Sequence, residues 1–152
     1  MKFAHMTGTS NGAMKFTPEG GLAIRYVNKT GAASIKGELV HPSTTHDFAV
    51  ERTGTTEFDP IGAVYESGVA DGAMMWVVVA GNADVLLQDL HASTRSDFVN
   101  TSTSQAGRCV TSAIPDGNAF GTVNNHFREI GHCLQSVTGG TNKTVRINMH
   151  FN

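Results

Sequence analysis

Thr144-Val145-Arg146-Ile147-Asn148-Met149-His150-Phe151 alternates strictly. Val145, Ile147, Met149 and Phe151 point one way, and Thr144, Arg146, Asn148 and His150 the other, which is the pattern of a half-buried strand. The same period of two recurs upstream. Leu22, Ile24 and Tyr26 alternate with Ala23, Arg25 and Val27, and Asn28-Lys29-Thr30-Gly31 then reads as a turn. Ser34–Val40 follows as a strand, Phe48 and Val50 mark a short one, and Ile61–Ser67 with Ala73–Gly81 form the strongest pair. Asp84–Leu90, Phe98-Val99 and Arg108–Ile114 add further runs. The expectation is an all-β chain, a compact β-barrel or β-sandwich occupying residues 21–152 as a single domain.

Two stretches depart from alternation. Met74-Met75-Trp76-Val77-Val78-Val79 is apolar on both faces, as in a strand buried on both sides, in a core or at a subunit contact. Asn125–Val137 also fits a helical stripe through Phe127, Ile130, Leu134 and Val137. An internal repeat favours a strand for Ile130–Ser136, with a short helical turn allowed near Asn124–Phe127. Pro60-Ile61-Gly62-Ala63-Val64-Tyr65-Glu66-Ser67 parallels Glu129-Ile130-Gly131-His132-Cys133-Leu134-Gln135-Ser136. Each has Ile-Gly, each reaches Ser at the same offset, and each runs through a Gly turn (Asp71-Gly72; Gly139-Gly140) into a strong strand. Two related hairpins in one sheet are expected. The predicted core is Ile24, Ile35, Leu39, Ile61, Val64, Val78, Leu87, Ile130, Leu134, Val145, Ile147 and Met149.

Residues 1–20 read as an N-terminal arm. Met1, Phe3, Met6, Met14 and Phe16 lie among Thr, Ser, Asn and Gly with neither helical nor strand period. Such a segment orders on a partner or packs on its own domain. Phe3, Met6, Met14 and Phe16 are therefore candidate capsid or subunit contacts, for the reason given below. Trp76, the single Trp, is either a core anchor or an interface residue.

Composition narrows the function classes. The 152 residues suffice for one domain with a real core. Charged residues are only 16%, and 17 glycines accompany many Ser, Thr and Asn, which suits a turn-rich β protein. A net charge of −2 lacks the basic face that nucleic-acid binding needs. No apolar run approaches a membrane span, and Met1–Gly8 has no apolar signal-peptide region. The sequons at Asn28, Asn100 and Asn142 are accordingly read as incidental, and Cys109 and Cys133 as buried free thiols made in a cytosol.

No chemistry is expected. Seven histidines (His5, His41, His46, His91, His126, His132, His150) show no ligand spacing with a third ligand at a known offset. His132 and Cys133 are adjacent and so face opposite ways in a strand, whereas His132 and His150 are placed to meet across neighbouring strands. Cys133 beside Leu134 suits an inert thiol. There is no Gly-x-Ser-x-Gly elbow, and Gly20-Gly21 and Gly139-Gly140 lack the Lys-Ser/Thr of a phosphate loop. The expectation is no catalytic residue, no metal and no cofactor. A sizeable closed pocket lined by His132, His150 and a carboxylate would favour an enzyme or ligand-binding barrel instead.

The hairpin residues carry a family likeness. Asp59-Pro60-Ile61-Gly62-Ala63-Val64-Tyr65-Glu66, Gly68-Val69-Ala70-Asp71-Gly72 and Trp76-Val77-Val78-Val79-Ala80-Gly81 resemble the tailed-phage capsid decoration, or head cement, proteins. So do Asn125-His126-Phe127-Arg128-Glu129-Ile130-Gly131-His132-Cys133, Thr141-Asn142-Lys143 and Met149-His150-Phe151-Asn152, with weaker echoes at Asn28–Gly31, Lys36-Gly37 and Ala106-Gly107-Arg108. The likeness runs from about Leu22 onward. It implies a compact β-barrel on the outer surface of a phage head, made in the host cytoplasm. It further implies a homotrimer at three-fold or quasi-three-fold positions that clamps subunits of the major capsid protein, with an N-terminal arm joining the contact. No nucleic acid or membrane partner is implied. The runner-up is another β-barrel virion part, such as a tail-tube, head-completion or fibre-base protein.

Overall fold

The computed structural model describes residues 12–113 and 129–150. Among them the chain forms ten strands and no helix: β1 (Met14–Phe16), β2 (Gly21–Asn28), β3 (Leu39–Pro42), β4 (Ala49–Arg52), β5 (Gly62–Val64), β6 (Met74–Leu86), β7 (Phe98–Thr101), β8 (Cys109–Ser112), β9 (Glu129–Cys133) and β10 (Thr144–Met149). Phe3, Met6, the allowed turn at Asn124–Phe127 and Phe151 lie outside the described residues.

β6 is the hub. Its β-branched first half, entered through a Gly72 turn, pairs antiparallel with β2 from Met74↔Val27 to Gly81↔Gly21, and with β5 at Val77↔Val64 and Val78↔Ala63. Its second half pairs with β10, from Gly81↔Met149 to Leu86↔Thr144. Asp84, paired with Arg146 in this register, accepts two hydrogen bonds from its guanidinium at 2.9 and 3.2 Å, which pins the alignment.

The sequence reading divided this strand in two at Gly81-Asn82, which has the composition of a turn. The structure makes it a bulge. Ala80 faces Leu22 and Val78 faces Ala23, so Val79 is the extra residue. Gly81 takes φ +77°, and a Cβ there would sit 2.6 Å from the Gly20 carbonyl oxygen. The bulge also shifts the phase of burial: Val78 before it and Ala83 and Val85 after it enter one core.

The pairings β2–β4–β3–β5–β6–β2 close into a five-strand ring, with β2–β4 parallel and the other contacts antiparallel. β10–β9–β7–β8 continue from β6 as a wing, and β1 folds back on β2. Two cores follow. Val40, Val50, Val64, Met75 and Val77, with Tyr26 packed against them, bring one face of every ring strand together. The larger core lies on the opposite faces, where Ala23, Leu39, Ala63 and Val78 meet Val85, Val99, Cys109, Ile130, Cys133, Val145, Ile147 and Met149. Met75, Val77 and Val78 thus go to different cores, which is why β6 is apolar on both sides. The all-β class is as the sequence indicates.

The last strand keeps its expected register, with Val145, Ile147 and Met149 buried and Arg146 and Asn148 turned outward. The two hairpins of the repeat also form, β5 on β6 and β9 on β10. Gly62 and Gly131 occupy the same role in each. A Cβ on Gly62 would run into the Val78 carbonyl oxygen, and one on Gly131 into that of Asn148.

Four predicted core residues lie elsewhere. Ile35 is exposed, because Ser34–Gly37 is a turn in which Glu38 N–H donates to the Ile35 carbonyl. Leu134 is exposed, because β9 ends at Cys133 and it is Cys133 that points inward. Ile24 and Ile61 are half-buried at the edge of a groove described below. In β2 the fully buried apolar side chain is Ala23. Asn28 ends β2 as a buried turn organiser: its amide donates to the Ala32 and Val69 carbonyls at 2.9 and 2.8 Å.

Candidate functional site

The sequence-predicted contact residues fall into two places. Residues 14–16 of the arm pair with the domain, Met14↔Ile24 to Phe16↔Leu22, so a three-residue strand exists where no period was read. Three residues are too few for a period to show. Met14 and Phe16 stand 53% and 83% exposed on this edge strand. Backbone bonds to β2 flank it on either side, Arg25 N–H to the Ala13 carbonyl at 2.9 Å and Thr17 N–H to the Gly21 carbonyl at 2.8 Å.

Trp76 lies on the other face, opposite Arg25. It packs half-buried against the larger core. Its ring has Lys15 Nζ 4.5 Å and Arg25 Cζ 5.6 Å from its centre, and the same Lys15 Nζ is 4.4 Å from the Tyr65 ring. Trp76 is therefore capped by cations and does not join Met14 and Phe16 in one patch.

Beside β1 runs an open groove of about 870 Å³, lined among others by Ile24, Tyr26, Phe48, Phe58, Ile61 and Val79. Ile24, in the lining, is the cross-strand partner of Met14, so Met14 stands next to the groove without lining it. Phe48 is 61% exposed and held at φ +51°, an unusual conformation for an aromatic residue. Read as a strand residue from sequence, it precedes β4 instead. Leu90, the end of the apolar run Asp84–Leu90, lies past the end of β6 at Leu86 and is 80% exposed at φ +65°. It sits on a built loop. The neighbouring Asp89 carboxylate accepts from Asn142 N–H at 2.9 Å, Gln105 at 3.1 Å and Arg108 at 3.0 Å, and the Asn142 bond foremost holds its carboxyl below the usual range.

A second cluster is polar. β9 carries a bulge against β7: His132 faces Phe98, Gly131 faces Val99 and Glu129 faces Asn100, so Ile130 is the extra residue. In a regular strand residues three apart point to opposite faces. Here the bulge turns Glu129 and His132 to the same side as Phe98 and Asn100. His150 arrives from the end of β10, where its N–H donates to the Ile130 carbonyl at 3.1 Å. His132 Nε2 is 2.9 Å and His150 Nε2 3.4 Å from Glu129 Oε1. The two imidazole centres are 5.3 Å apart, as the placement on neighbouring strands suggested. Phe98 stacks at 5.0 Å on His132.

These groups do not make a nucleophilic site. Cys133 faces the core, away from His132, and burial foremost, aided by the Asp97 charge, pushes its thiol up to about 11. Burial pushes the Cys109 thiol still higher, and both are free. The groove is open, and it takes Glu129 but neither His132 nor His150 into its lining. Among the described residues no helix is long and apolar enough to cross a membrane.

No protein-family model and no curated protein matches the chain.

Proposed function

We propose that this chain is a non-enzymatic virion protein that binds the outside of a phage head and stabilises the shell, as a trimer bridging subunits of the major capsid protein. The observation that carries the reading is the pair Met14 and Phe16, held out on an edge strand beside an apolar groove. Contiguous exposed apolar surface marks sites that are covered in an assembly, and Met14 and Phe16 stand on the same face of one strand. Burying each would contribute about 1.5–3 kcal/mol. An edge strand also offers backbone groups for pairing with another chain. The family likeness of the two hairpins supports the same reading, and so does a chain whose strongest features are packing and turn motifs.

The physics asks for no turnover. Packed DNA presses outward on a thin shell. A protein that binds across subunit boundaries binds only the assembled state, and stabilises it by about 2.7 kcal/mol at a hundred times its Kd. The test is co-sedimentation of the purified protein with expanded empty heads of the phage that encodes it, with its mass in solution measured by light scattering. Saturable binding at one trimer per three-fold position is expected. Binding to tail tubes or connectors with none to heads would replace this reading with the tail or head-completion alternative.

A further inference from the structure

We propose that Glu129, His132 and His150 form a binding site for a divalent transition-metal ion, with zinc the best fit, that fastens the end of β10 to the β9 bulge. Two imidazoles and one carboxylate are a donor set suited to zinc, and three protein ligands leave one position for water. Spacing along the chain did not reveal the set. The i,i+3 separation of Glu129 and His132 is wrong for one face of a flat strand, and only the extra residue Ile130 brings them together. His150 is close in space but far from a recognisable offset.

The geometry fits an ion. Around a tetrahedral metal with bonds of about 2.0–2.1 Å, ligand atoms stand about 3.3 Å apart. Here the two imidazole nitrogens approach one carboxylate oxygen at 2.9 and 3.4 Å, and one ligand atom from each residue lies within 4.8 Å of the others. Glu129 is anchored, with 1% of its side chain exposed, while His132 and His150 are 39% and 37% exposed and leave an entry path. The Phe98 ring packs against the His132 ring at 5.0 Å.

A second observation points to the same place. Asn100, the cross-strand partner of Glu129, has a buried Oδ1 with no hydrogen-bond partner among the described residues. Buried amide oxygens are normally satisfied. A water on the ion's open position would be a donor on the face Asn100 shares with Glu129.

The competing account is a carboxylate and two histidines held together without a metal, and the two accounts differ measurably. Full-length protein is stripped with chelator, dialysed and titrated with zinc chloride by calorimetry, and cobalt is substituted as a visible-absorbing probe. The proposal expects one zinc per chain, a cobalt spectrum of low coordination number, and a melting temperature raised by zinc. His150→Gln and His132→Gln, both at partly exposed positions, should weaken zinc affinity by about ten-fold or more. His46→Gln, at an exposed histidine outside the cluster, should leave it unchanged. Circular dichroism of each variant checks the fold. Absence of stoichiometric binding to the wild type, or binding that survives both cluster variants, overturns the proposal. The site is independent of the capsid reading, since either can fail without the other.

Discussion

The hairpins β5–β6 and β9–β10 share a sequence pattern, Ile-Gly with Ser at the same offset, and end with different uses. In the first, Gly62, Ala63 and Val64 are all buried, and each neighbour along the strand enters a different core. In the second, Ile130 and Cys133 are buried but Glu129 and His132 share a polar face. Both need their glycine because the partner strand's carbonyl oxygen occupies the Cβ position. Only Gly131 also takes a positive φ, +151°, next to the bulge. One inserted residue, with no change in the Ile-Gly pattern, separates a strand that builds a core from one that builds a site.

The sharpest way to break this comparison is to fill both glycines. Gly131→Ala combines a backbone clash with a disfavoured φ, and should cost about 3–5 kcal/mol. Gly62→Ala meets the clash alone, within the ring, and should cost about 1–3 kcal/mol. Urea unfolding of both variants reads the difference. Equal losses would mean that the β9 bulge is not under special constraint.

Burial phase gives the next test. Ile130→Ala should cost roughly 2–5 kcal/mol, as expected for a fully buried branched side chain, while Leu134→Ala should stay within about 0.5–1 kcal/mol. A flat strand would bury both residues, so comparable losses would contradict the bulge.

These residues show what sequence made legible. Val145, Ile147 and Met149 were readable because nothing interrupts their alternation. So were the two hairpins, through Ile-Gly and the glycine turns. β6 was read as two pieces because Gly81-Asn82 resembles a turn, and only pairing on both sides of it shows a bulge. Ile35 looked apolar and periodic yet sits in a turn, since the bonds of Ser34 go to Glu66, Gly68 and Val69 rather than to a long strand. The exposed pair Met14 and Phe16 is flagged by composition, whereas the nearby groove needs β2, β6, β9 and the loops before β4 and β5 in place. The Glu129–His132–His150 cluster was half visible, as two histidines on neighbouring strands. The carboxylate was hidden by the parity of the bulge.

A smaller effect concerns the joint between ring and wing. Glu38 is buried beside Arg52, with Oε1 2.9 Å from the guanidinium, and burial outweighs that ion pair and pushes its carboxyl above the usual range. The folded state therefore binds this proton more readily than the unfolded chain. Its stabilising contribution is full below the ordinary carboxylate pKa and is lost as pH rises through the folded value. The stability of the wild type relative to Glu38→Gln should accordingly increase as pH is lowered from 7 toward 4.5. A difference that shrinks on acidification would mean that Arg52 dominates.

An equally small change in stability belongs to the residues with the largest proposed role. Met14→Ser with Phe16→Ser should alter unfolding by no more than about 0.5–1 kcal/mol, because both side chains already face solvent. The same double variant should lose most of its affinity for heads. The most direct test of the central claim is a cryo-EM map of the virion that locates this chain. The account predicts trimers on the outer head surface at three-fold positions, with β1 and Phe16 covered by a neighbouring chain. A map placing the protein in the tail, or on the head with β1 facing open solvent, would contradict it.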